Sequence, residues 1–223
     1  MGKELGNVCS GGFSFFGITN RLISHDLRNI LAIISETLGL MEELVELSEK
    51  GVELKPGKLR SLNESILEEV ERANVTIRNM NVFAHSVDNF LGEADIAQSI
   101  NLMCDMARLD TAFKKSEIRL VACQTFSIYT SPFFFQNLIY QIIINYCAGS
   151  NNEILISLDS EGDMVKIAFS GINLNINKKF PAPREETLAK ILCAQFFFDA
   201  SAGKLSIILP HKMDENPIFK LLV

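Results

Sequence analysis

Two long runs of apolar residues at spacings of three and four, separated by a loop carrying Gly51, Pro56 and Gly57, constrain this chain more than any other feature. The first extends from Ile18 to about Glu49 and the second from Leu59 to about Leu91. That spacing is the mark of an amphipathic helix, and two such helices joined by a short loop form an antiparallel hairpin. On a helical wheel with Ile23 at zero, Leu27, Ile30, Ile34, Thr37, Met41 and Val45 fall within about 40 degrees. Leu22, Ile33, Leu40 and Leu47 widen the apolar arc on one side, and Leu31 and Leu38 on the other, to roughly 200 degrees. One partner helix cannot cover so wide an arc. Two hairpins packed as a four-helix bundle can, which predicts a homodimer; cover by the second domain is the other way to bury part of the arc. The second run offers a seam through Leu62, Ile66, Ala73, Ile77, Met80, Ala84, Val87 and Leu91. Val75 and Val82 lie off that seam, facing either the rest of the chain or solvent, and His85 flanks it as a structural residue.

The segments on either side differ in character. Residues 1–17 are rich in Gly and Ser and read as a flexible N-terminus. The hairpin is assigned to 18–92 and a second domain to 93–223. In that second domain ADIAQSINLMCDMARLDTAFKKS reads as an amphipathic helix and IRLVAC as a strand. SPFFFQNLIYQIIINYCAG reads as an apolar helix, with Ser131 at the cap and Pro132 in the first turn. EILISLDSEGDMVKIAFSG reads as two strands around a turn at Ser160–Asp163, REETLAKILCAQFFFDAS as a helix and GKLSIIL as a last strand. The fold class is therefore α+β: a helical hairpin followed by an α/β sandwich.

Composition narrows the function. Lys and Arg total 21 against 27 Asp and Glu, a net charge of −6, and no basic cluster beyond pairs such as Lys114-Lys115 and Lys178-Lys179 interrupts it. A nucleic-acid partner is not expected of such a surface. The five cysteines include no C-x-x-C pair, and with only three histidines no zinc spacing is written. Most of the cysteines sit in apolar runs, as small buried residues of a reduced, cytoplasmic protein do. No membrane span, signal peptide or myristoylation signal is legible.

His25 falls at roughly 200 degrees on the same wheel, opposite the apolar stripe. A lone exposed histidine is most often a solvated surface residue, but the neighbours of this one suit phosphoryl chemistry. A neutral imidazole is a nucleophile near physiological pH. Arg21 and Arg28, at i−4 and i+3, share its face and attract a phosphoryl group. Asp26 is a candidate acceptor for the other ring nitrogen, and Asn29 a candidate to position a water or a phosphoryl oxygen. Ala32 and Gly39 leave the stripe shallow, so that a partner protein can approach.

The run Ser24-His25-Asp26-Leu27-Arg28-Asn29 resembles the H-box of sensor histidine kinases, with Ile30 where that family often has Pro. The resemblance implies that His25 is the phospho-acceptor, Asp26 the assisting acid and Asn29 the position linked to phosphatase activity. In that family the next domain binds ATP, and here its signatures are degenerate. Gln141 and Asn145 occupy the two Asn positions of the first signature, Asn145 being the magnesium-binding one. The glycine-rich motif with its adenine-recognising Asp is replaced by Ala168-Phe169-Ser170-Gly171-Ile172-Asn173-Leu174, and the lid by Asn175 to Arg184, with Lys178 and Lys179 on a solvated loop. Without those glycines a phosphate cradle is lost.

A dimerising hairpin with its histidine, followed by a degenerate kinase-like domain, is similar to the ChpT-type histidine phosphotransferases of bacteria. That resemblance spans about Ile18 to Leu209 and implies a phosphorelay intermediate. Its partners would be response-regulator receiver domains, a hybrid histidine kinase and a second copy of the chain. It would need no cofactor of its own, because the receiver supplies magnesium. Two rivals remain: a divergent histidine kinase or phosphatase that still uses ATP, and a non-catalytic protein that docks on kinases or receivers. A metal-dependent phosphohydrolase built on His25-Asp26 would need more histidines than His85 and His211 provide.

Overall fold

The structure is a computed structural model and describes residues 2–110, 113, 117–121, 126–147, 153–172, 180–199 and 202–213. The chain divides into two compact units, Asn20–Val82 and a second that joins Met1–Thr19 to Phe83–Val223.

The first unit is the helical hairpin. Helix α1 spans Gly2–Glu49 and helix α2 spans Pro56–His85; residues 20–49 and 56–82 of these belong to this unit. Gly51 turns the chain at φ 91°, a left-handed conformation that a Cβ would oppose. Pro56 opens α2, where its missing N–H breaks no helical bond. Ile23, Asp26, Ile30 and Thr37 form the buried stripe of α1, at spacings of three, four and seven. The seam of α2 runs through Leu62, Ile66, Ala73, Thr76 and Met80. It departs from the expected one after Ala73, since Ile77 is 41% exposed while Thr76 is buried. Helix α2 also stops short of the expected Leu91. Ser86, Val87 and Asp88 close the helix end with bonds to Phe83, Ala84 and His85 carbonyls, leaving Val87 and Leu91 outside it.

The second unit is an α/β sandwich. Its elements are β1 (Gly92–Asp95), α3 (Ile96–Arg108), β2 (Ile118–Val121), β3 (Ser127–Thr130), α4 (Pro132–Ile142), β4 (Ile154–Glu161), β5 (Met164–Ser170), α5 (Pro183–Leu192), β6 (Gln195–Asp199) and β7 (Lys204–Pro210). The main sheet has the order β2-β4-β5-β7-β6, with β2 and β4 parallel and every other pair antiparallel. Register places Leu120, Ile156, Phe169, Leu205 and Phe198 in one cross-strand row. Leu158, Ile167, Ile207 and Phe196 make the next. Cross-strand partners share a face, so these rows form one apolar face of the sheet. Helices α3, α4 and α5 add Ile100, Met103, Leu138, Ile139, Leu188 and Ile191 to the core. A two-stranded ribbon, β1 with β3, completes the unit.

Three local expectations are corrected. Residues 1–17, read as flexible, belong to α1 from Gly2 onward. The reason is tertiary: Phe15 is fully buried, with its ring 5.3 Å from Phe83, 5.5 Å from Phe133 and 5.3 Å from Tyr140. Packing of this kind overrides the poor helix propensity of the Gly and Ser around it. The helix expected to run past Phe196 ends at Leu192. Cys193 takes a left-handed conformation at φ 53°, and Gln195–Asp199 becomes the edge strand β6. The strands β1 and β3 were not expected at all.

Candidate functional site

The hairpin unit displays the histidine. His25, Arg21, Arg28, Asn29, Ala32 and Gly39 are all exposed on α1, while Ile23, Asp26 and Ile30 are buried. The 100-degree step of the helix enforces this split, since His25 stands opposite the stripe that packs on α2. The amide Nδ2 of Asn29 lies 3.2 Å from His25 Nδ1, one helical turn along. In that arrangement the ring Nδ1 accepts and Nε2 carries the proton. With the amide turned over, Nδ1–H donates to Asn29 Oδ1 and Nε2 presents a bare lone pair to solvent. Attack on phosphorus by Nε2 requires the second arrangement. Neither Arg21 nor Arg28 is in an ion pair among the described residues, so both cations remain available to an incoming anion. A Cβ at Gly39 would meet nothing within 4 Å, as a shallow approach surface requires.

Asp26 stands elsewhere than expected. It does not touch the imidazole. It follows Ile23 by three positions and precedes Ile30 by four, which puts it on the buried stripe, and adjacent helical residues do not face each other. Its side chain is 7% exposed and ion-paired through Oδ1 with Nη2 of Arg72, while Oδ2 accepts from Thr76 Oγ1 at 3.2 Å. Arg72 also reaches Glu69 at 3.2 Å. A carboxylate buried this far needs such partners. Arg72 and Thr76 are thus part of the histidine's support, holding the two helices in register beneath it. Sequence reasoning missed both; the signal was an Asp at an apolar position of the first helix and an Arg and a Thr near the apolar seam of the second.

In the sandwich unit the residues compared with the nucleotide signatures make contacts within the protein. After Ile142, α4 widens into a π-helical turn over Ile143–Cys147, which holds Asn145 and Tyr146. Asn145 Nδ2 donates to Glu185 Oε1 at 2.8 Å, and the Tyr146 hydroxyl donates to Glu185 Oε2 at 2.8 Å. The Ala182 N–H donates to the same oxygen at 2.6 Å, and Glu185 is fully buried. Burial, with the Glu185 carboxylate behind it, pushes the Tyr146 hydroxyl well above its ordinary pKa. Gln141 reaches Asn137 at 3.5 Å. Phe180 packs its ring 5.0 Å from both Tyr146 and Phe196. In the segment compared with the glycine-rich motif, Ser170 donates to the Leu155 carbonyl at 3.2 Å. Gly171 follows at φ 81°, and a Cβ there would collide with the Glu153 carbonyl. Ala148, Gly149 and the segment 173–179, with Lys178 and Lys179, lie outside the described residues, as do Lys114, Lys115 and Cys123.

Among the described residues no cluster of three or more His, Cys, Asp or Glu is disposed to hold a metal ion. No helix among them is long and apolar enough to cross a membrane.

No family model matches the chain, and no curated protein matches it. Among solved structures, a bacterial phosphotransferase aligns at 11% identity over 88% of this chain and 95% of that one, with a TM-score of 0.48. The histidine kinase AdeS of Acinetobacter baumannii aligns at 16% identity over 84% of this chain and 98% of that one, with a TM-score of 0.41. The catalytic domain of the histidine kinase ThkA aligns at 10% identity over 55% of this chain and 96% of that one, with a TM-score of 0.45.

Proposed function

We propose that this protein works in histidine-kinase-type two-component signalling and carries a phosphoryl group on His25. The observation that bears most weight is the exposed His25 with Asn29 3.2 Å from its Nδ1 and two uncommitted arginines on the same face. In the transfer step the Nε2 lone pair attacks the phosphorus of a receiver's aspartyl phosphate. The N–P bond forms as the P–O bond to the aspartyl carboxylate breaks. Asn29 Oδ1 holds Nδ1–H and so stabilises the positive charge developing on the ring. Arg21 and Arg28 offset the charge of the phosphoryl oxygens, and the receiver contributes magnesium. Ala32 and Gly39 leave room for the receiver to dock.

The finer reading is a relay that does not use ATP. Its support is the loss from the sequence of the glycine-rich motif and lid of the nucleotide site, replaced at residues 168–174 and 175–184. The second reading is an ATP-using histidine kinase or phosphatase, and the intact five-stranded sandwich with Asn145 in place favours it. A homodimer accords with the exposed apolar residues of the hairpin, among them Leu31 at 62% and Leu67 at 59%. The test offers the chain two labelled donors, ATP alone and a phosphorylated receiver domain, beside a His25→Gln variant. Label from the receiver to the wild type alone, with none from ATP, is the expected result. Label from ATP alone establishes the kinase reading. No label from either donor sinks both.

A further inference from the structure

Within the sandwich unit, a cavity of about 380 Å³ is lined by Ser10, Gly11 and Ser14 of α1, Asn137 of α4, and Arg184 and Thr187 of α5. Its chemistry is one-sided. Arg184 Nη2 donates to the Gly11 carbonyl at 2.5 Å and to Asn137 Oδ1 at 3.3 Å. Nε is buried with no hydrogen-bond partner. Nη1 donates to nothing, and no carboxylate ion-pairs with the guanidinium, among the described residues. Glu185, the next residue, turns its carboxylate to Asn145, Tyr146 and the Ala182 N–H instead. Burial lowers the pKa of Arg184, and the neighbouring Glu185 carboxylate offsets this only in part. In a chain of net charge −6, a partly buried arginine with no direct ion pair among the described residues is unusual.

Asn137 adds an independent observation. It is 2% exposed, both of its side-chain bonds are accepted at Oδ1, and its Nδ2 donates none among the described residues. That amide nitrogen is thus a second donor at the cavity, beside the guanidinium. A guanidinium with a free Nη1, an amide N–H₂ and two serine hydroxyls one turn apart therefore border a space that no acidic side chain lines. A planar guanidinium matches the oxygens of phosphate and carboxylate groups.

We propose that this cavity binds a small oxyanion, the phosphate or carboxylate group of a ligand, on Arg184 and Asn137 with Ser10 and Ser14 beside them. The site is separate from His25 and does not depend on phosphotransfer. Isothermal titration of the full chain with inorganic phosphate and, separately, with succinate tests it. The expected result is saturable one-to-one binding of at least one of them, with a dissociation constant below about 1 mM. Phosphate alone identifies a phosphoryl ligand and succinate alone a carboxylate ligand. Arg184→Met weakens the binding by about tenfold or more. Ser14→Asp sets a tethered carboxylate at the cavity. It abolishes binding and raises the thermal midpoint, which keeps the proposal testable should Arg184→Met fail to fold. No saturable binding of either anion up to about 20 mM overturns the proposal. So does binding that both variants leave intact, because that binding sits elsewhere.

Discussion

At the scale of the residue, a single helical step separates two roles. His25 faces solvent, and Asp26, one position on, is buried against Arg72 and Thr76. Removing Arg72 leaves that carboxylate short of its cation. Arg72 is 45% exposed, so water replaces part of the lost contact. Arg72→Ala is therefore expected to cost about 1–2 kcal/mol, read by chemical denaturation. An unchanged midpoint would show that the pair does not hold the hairpin. The histidine's face was legible in the sequence because helical periodicity alone assigns it. The partner of Asp26 was not, because Arg72 lies 46 residues away and only the packing of α2 on α1 brings it near. The H-box pattern itself suggested an acid acting on the ring, whereas a position three after Ile23 and four before Ile30 belongs to the buried stripe.

Elements show where local pattern stops deciding structure. The β4–β5 pair follows its periodicity closely; in β4, Ile154, Ile156 and Leu158 are buried and alternate with exposed neighbours. The Gln195–Asp199 segment is a short apolar run that suits helix or strand equally, and pairing with β7 settles it as a strand. The ribbon strands β1 and β3 have four residues each, too few for a period-two signal, and exist because they pair with each other. The start of α1 is the plainest case. Its Gly and Ser content argues against helix, and one buried ring outweighs it. Phe15→Ala opens a cavity among Phe83, Phe133 and Tyr140, with an expected loss of about 3–5 kcal/mol. Amide exchange across residues 6–19 should accelerate with it. Exchange that stays slow would mean the segment is held by something other than Phe15.

For the whole molecule, the sulfur chemistry and the transfer chemistry can be tested separately. Cys104 and Cys147 are buried, and desolvation pushes both thiols up to about 12 from an ordinary value of 9.0. A thiol whose folded pKa is raised stabilises the fold fully below 9.0, and that contribution is lost as pH climbs toward 12. The expected outcome is a thermal midpoint that falls between those two pH values. At neutral pH, alkylation should reach exposed Cys9 and Cys193 well before Cys104 or Cys147. Rapid modification of the buried pair in folded protein would contradict their placement. The account as a whole turns on His25, and mapping of the transferred group tests it most directly. The protein is incubated with a phosphorylated receiver domain, digested under mildly alkaline conditions and analysed by mass spectrometry. The account predicts an acid-labile phosphoryl group on the peptide containing His25 and none on the His25→Gln variant. A phosphoryl group on His85, His211 or a serine, or a receiver that keeps its phosphate unchanged, would contradict it.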